Sequence, residues 1–168
     1  MKYVKLALII IFAYILQTVI IPDFNILGVA PNLPLVIVSS ISFLFGSQTG
    51  AVVGFFSGLL LDFNQGHSIG LYAFLFMYIG LILGQFNKRF FKDNYFIAIT
   101  FTGIVTGVYE IIVYIFGAFA YSQVFNFGNF ITNVLLSMLV NVIAAVIVYP
   151  IMLKVNIGVE LDRNIFGR

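Results

Sequence analysis

Between Leu33 and Leu61 the chain runs for 29 residues without a charged side chain, and beyond Asp62 it runs for 25 more, from Phe63 to Asn87. No water-soluble fold of 168 residues can cover segments of this kind. Hydrophobic residues make up 62% of the chain and charged residues 8%, against about 45–50% and about 25% in ordinary soluble domains. The surface itself must therefore face hydrocarbon, and the chain reads as an integral membrane protein. Disorder needs low hydrophobicity and is excluded on the same figures. With no cysteine and one histidine, disulfides, thiol catalysis, Cys-ligated metals and His-cluster metal sites are ruled out. A net charge of +2 gives no reason to expect nucleic acid as a partner. No cofactor is expected.

A spanning helix needs roughly 20 apolar residues to cross about 30 Å of hydrocarbon. The first apolar run, Leu6 to Ile21, follows Lys2 and Lys5 and stops at Pro22-Asp23. It is slightly long for a secretory signal core and Pro31 directly follows the small-residue stretch Gly28-Val29-Ala30, so an uncleaved helix is the better reading. Asn25–Asn32 reads as an external loop. Later runs extend from Tyr95 to Phe119, interrupted only by Glu110, and from about Phe130 to Leu153.

Charge sidedness decides how many helices lie in Leu33–Leu61, because cytoplasmic loops carry the Lys and Arg excess. If Lys2 and Lys5 are inside, an even number of crossings must precede Lys88, Arg89 and Lys92. Two helices, broken near Gly46-Ser47-Gln48, satisfy this; one does not. The expectation is an all-α polytopic protein with six transmembrane helices and both termini cytoplasmic. All eight basic residues then share one side, and Lys88, Arg89 and Lys92 form a topology-determining loop against anionic lipid. Helices two and three come out short, about 14–16 residues or roughly 21–24 Å, and should pack inside the bundle or form a partly re-entrant pair. Pro34 falls in the first turn of helix two, where proline is tolerated.

Gly46, Gly50, Gly54 and Gly58 recur at i, i+4, with Asp62 continuing the series. Small residues on one face let helix backbones approach closely in a membrane. This face serves either packing within the chain or contact with a second subunit. Gly80/Gly84 and Gly103/Gly107 carry less weight. Asp62 and Asp23 are expected at external ends in contact with solvent, and His67 in a loop.

Glu110 is the one ionisable residue well inside a span, and such a group is a functional candidate by default. No basic residue lies at its depth, so polar partners are expected. Asn133, Ser137 and Asn141 share a face at i, i+4. With helix five ending near Phe116 and helix six starting near Phe130, Glu110 lies about 9 Å below the external end, Asn133 about 5 Å and Ser137 about 10 Å. A buried polar network of Glu110, Asn133, Ser137 and Asn141 follows. Phosphate-binding loops, zinc-protease motifs and nucleophile triads are absent from the sequence, so no catalytic residue is assigned and the chain is not expected to be an enzyme.

Pro31-Asn32-Leu33-Pro34-Leu35, Phe43-Leu44-Phe45-Gly46 through Gly50-Ala51, Gly54-Phe55 and Gly58-Leu59-Leu60-Leu61-Asp62, and then Gly70-Leu71-Tyr72-Ala73, resemble the rod shape-determining MreD family, as does the short Lys88–Lys92 loop. The resemblance implies a non-catalytic bacterial cell-membrane protein associated with MreC. Through the elongation complex it also implies RodA, a penicillin-binding protein and MreB. It further implies a fold similar to the S components of energy-coupling-factor transporters. Two readings follow. In the first, the chain is a scaffold subunit of cell-wall elongation. The Gly46–Asp62 face and the Pro31–Leu35 segment would then dock a helix of MreC or of a second copy. In the alternative it is a vitamin-binding, S-component-like transporter subunit with an external polar pocket.

Overall fold

Among the described residues, every regular element that these apolar runs build is helical. A computed structural model describes residues 2–24, 28–65, 70–86, 95–121 and 127–155. Among them are six α-helices: α1 (Lys2–Ile15), α2 (Leu33–Phe45), α3 (Ser47–Gln65), α4 (Leu71–Phe86), α5 (Tyr95–Tyr121) and α6 (Phe127–Lys154). A π-helical turn, Leu16–Ile20, and a 3-10 turn, Ile21–Asp23, prolong α1. Among the described residues, three helical segments are long and apolar enough to cross a membrane: Val4–Asp23, Tyr95–Phe119 and Phe127–Lys154.

The break expected at Gly46 is present, and it is made by one residue. Gly46 has φ +86° and ψ 176°, a conformation that a side chain makes costly. Its N–H still bonds the Ser42 carbonyl at 2.9 Å, so α2 closes normally before the chain reverses into α3. Gly46 therefore stands outside the helical row it was expected to begin. At 19 residues, α3 is also longer than expected, because the polar residues Asn64 and Gln65 continue the helix beyond the apolar run.

The 13-residue α2 spans only about 20 Å and forms the axis of the bundle. Every residue from Pro34 to Leu44 is buried, and the helix touches all five others. A helix apolar on every face belongs in such a position. Its three serines need no outside partner. Ser39, Ser40 and Ser42 each donate to the carbonyl four residues earlier, at 2.8, 2.8 and 2.6 Å, so they add small surfaces without unsatisfied hydroxyls.

Around this axis α3 and α4 form one antiparallel pair and α5 and α6 another, with α1 at the periphery. The first pair is a glycine contact. A β-carbon on Gly58 would overlap the Tyr72 carbonyl, one on Gly54 the Phe76 carbonyl, and one on Gly50 would lie 2.7 Å from the Gly80 carbonyl oxygen. A β-carbon on Gly84 would overlap the backbone of Ser47. Each step of four residues along α3 is answered by four in reverse along α4. Aromatic contacts tie the pairs together: the Tyr109 ring lies 6.2 Å from Tyr72 and 5.6 Å from Phe76, and Phe101 lies 4.9 Å from Phe86.

The described charges segregate by end. Lys5 near the start of α1 and Lys154 at the end of α6 share one end of the bundle. Asp23, Asp62 and Glu110 lie in the half where α1, α3 and α5 finish. Lys88, Arg89 and Lys92, and also His67, lie outside the described residues.

Candidate functional site

The polar side chains converge where α2 begins. A helix start leaves N–H groups without intrahelical partners, and at this depth in an apolar bundle each must find one. Asn32 is the N-cap, its Oδ1 accepting from the Leu35 N–H at 3.1 Å. Gln17, carried on the π-helical turn after α1, accepts from the Leu33 N–H at 2.8 Å. Pro34, the second helical residue, has no N–H to satisfy. The Asn32 N–H itself donates to Asn141 Oδ1 on α6 at 2.7 Å. Asn141 Nδ2 in turn donates to Thr106 Oγ1 on α5 at 3.2 Å, and the Thr106 hydroxyl to the Thr102 carbonyl at 2.8 Å. The Asn32 and Tyr109 side chains also lie side by side there. One helix start thus binds α1, α5 and α6 together.

Glu110 sits one turn from Thr106 and lies beside Ser137, itself one turn from Asn141. Thr106–Asn141 and Glu110–Ser137 are successive rungs of the same antiparallel pair. The expected network differs in two places. Asn133 is exposed on α6 and is not one of the rungs, while Asn141 serves Asn32 and Thr106 in place of Glu110. The cause is helix length. Because α5 continues to Tyr121 and α6 begins at Phe127, Glu110 lies about 16 Å from its helix end, Ser137 about 15 Å and Asn133 only about 9 Å.

Asp62 is also relocated. Expected in contact with solvent, it is 1% exposed. Its Oδ1 accepts from the Tyr72 N–H and its Oδ2 from the Ala73 N–H, both at 3.0 Å. These are the second and third N–H groups of α4. A carboxylate from one helix caps the next, a favourable position for negative charge, and it holds the glycine pair in register at that end.

Gly50, Gly54 and Gly58 are covered by α4 of the same chain, so the expected docking face is an internal contact. Gly80 and Gly84, to which the sequence lent little weight, are its other half. Pro34 and Leu35 are likewise buried in the bundle, so that approach to α2 faces inward; Pro31 is half-buried.

Between these elements lies a half-open cavity of about 230 Å³ with mostly polar walls, bounded by Gln17, Thr18, Asn32, Asn64, Tyr109 and Glu110. A second depression of about 350 Å³, between α1 and α3, is apolar throughout and is lined by Leu6, Ile10, Val52, Phe56 and Leu59 among others. Sequence reasoning missed Gln17, Asn32 and Tyr109 as site residues. Asn32 carried a readable signal, an amide just before Leu33-Pro34 at a helix start; Gln17 was one polar side chain in an apolar run. Among the described residues no group of three His, Cys, Asp or Glu side chains is placed to hold a metal ion.

The family model described as rod shape-determining protein MreD matches residues 1–156 of the chain. No curated protein and no solved structure matches it.

Proposed function

This chain belongs to the family of the rod shape-determining protein MreD, and on that premise we propose that it is a non-catalytic scaffold subunit of the bacterial cell-wall elongation complex. It crosses the cell membrane six times with both termini in the cytoplasm, binds MreC through helix contacts, and so helps to organise peptidoglycan synthesis with RodA, a penicillin-binding protein and MreB. Self-association is a further outcome of the same contacts.

The observation that carries this reading is the division of labour between interior and exterior. Asp62 has both oxygens committed to backbone N–H groups, and Asn32 and Asn141 are committed to helix starts and neighbours. The polar residues hold the fold together, while the exterior offers hydrocarbon surface. The orientation rests on the charge segregation, with the basic end in the cytoplasm.

With the glycine face covered by α4, the MreC helix is assigned to the apolar groove between α1 and α3. Van der Waals packing in such a groove is the main attraction available between helices in lipid. Co-purification from native membranes tests this. Wild type should retain MreC, and Val52→Trp, which fills the groove from an exposed position, should lose it while staying inserted and folded. Retention of MreC by Val52→Trp would remove the groove from consideration, and absence of MreC from the wild-type complex would remove the scaffold reading.

The second reading, a vitamin-binding transporter subunit, draws on the polar cavity. At about 230 Å³ that cavity is smaller than the roughly 300–1,000 Å³ of sites for drug-sized ligands, which favours the scaffold reading.

A further inference from the structure

Within the polar cavity, the oxygens able to accept a hydrogen bond are unequally occupied. Gln17 Oε1 is taken by the Leu33 N–H and Asn32 Oδ1 by the Leu35 N–H. Glu110 lines the same cavity, and a carboxylate offers roughly four acceptor positions. Among the residues lining the cavity, Glu110 carries the one carboxyl group. Among the described residues the basic side chains Lys5 and Lys154 stand at the opposite end of the bundle, so none answers this charge. An ionised group inside a span is costly unless a countercharge or water attends it. Tyr109, the neighbour of Glu110 in the chain, also lines the cavity.

We propose that this cavity is a binding site for a small primary ammonium group, held by the Glu110 carboxylate. The volume of about 230 Å³ equals that of nearly eight water molecules at about 30 Å³ each, enough for an amino alcohol. The half-open side borders Asn64, which is exposed, so a ligand reaches the site from the end of the bundle opposite Lys5 and Lys154. The same chemistry is offered by a soluble amine and by an ethanolamine lipid headgroup.

The test uses the full chain in phosphatidylglycerol nanodiscs at neutral pH, with ethanolamine as probe and ethylene glycol as its uncharged counterpart. Ethanolamine should raise the Tm in a saturable way, whereas ethylene glycol should not. Glu110→Gln should abolish the shift, and Asn64→Asp, which adds a second carboxylate at the rim, should lower the half-saturating concentration several-fold. Nanodiscs containing phosphatidylethanolamine separate the two sources. A lipid headgroup ligand would raise the starting Tm and suppress the response to free ethanolamine; a soluble ligand would leave that response intact. Equal shifts with ethylene glycol, an undiminished shift in Glu110→Gln, or no shift in either phospholipid would overturn the proposal. If Glu110→Gln does not fold, Asn64→Asp decides alone, and unchanged affinity there counts against the site.

Discussion

Asp62 of α3 and Tyr72 of α4 are joined by a 3.0 Å bond from the Tyr72 N–H to the Asp62 carboxylate, with Ala73 bound to the second oxygen. The carboxylate therefore acts as a cap for a helix to which it does not belong. Replacing it by alanine strands two buried donors, and leaving one such group unsatisfied costs about 1–3 kcal/mol. Asp62→Ala should lower the Tm markedly and speed amide exchange at Tyr72 and Ala73, with Asp62→Asn intermediate because one oxygen remains.

Gly54 faces the Phe76 carbonyl so closely that any β-carbon must displace backbone. Overpacking of a tight core typically costs about 1–3 kcal/mol. Gly54→Ala should therefore lower thermal stability by an amount in that range, and Gly54→Leu should prevent the α3–α4 pair from closing. Leu135→Ala, on a 60% exposed site of α6, should leave the Tm nearly unchanged. The decisive measurement is thermal unfolding of the three variants in one detergent.

Asn141 connects α2 to α5 with a single amide. Asn141→Leu has nearly the same shape but leaves the Asn32 N–H without an acceptor, at a cost of about 1–3 kcal/mol. Loosening should be local to the start of α2, read as faster exchange at Asn32 while the α3–α4 contact stays protected.

The orientation can be read by labelling, and the absence of native cysteine keeps the background clean. Asn64→Cys, at an exposed site near the end of α3, should react with an impermeant maleimide on intact cells. Lys154→Cys should react only after permeabilisation. The reverse pattern would invert the topology.

Much of the architecture was legible because membrane helices are written in charge and hydropathy. The break at Gly46 followed from counting crossings against the position of Lys88, and the burial of α2 from its shortness, since a helix too short for the bilayer needs protein around its ends. Glu110 was legible as a group requiring polar partners. Which partners it would find depended on where α5 ended, and the polar residues Tyr121 and Asn129 gave no sharp stop from which to measure depth. That error of about one turn moved Asn133 out of the network.

The sequence by itself determined that this chain is a bundle of apolar helices, where the bundle folds back between α2 and α3, and that its small residues lie on shared faces, because those properties reside in local composition and period. The tertiary structure decided what each shared face meets. Gly50 and Gly54 meet α4 and not a partner, and Asp62 is an internal cap and not a solvated end, because the occupant of a close contact, or of a carboxylate's lone pairs, is chosen by which helix the fold brings alongside.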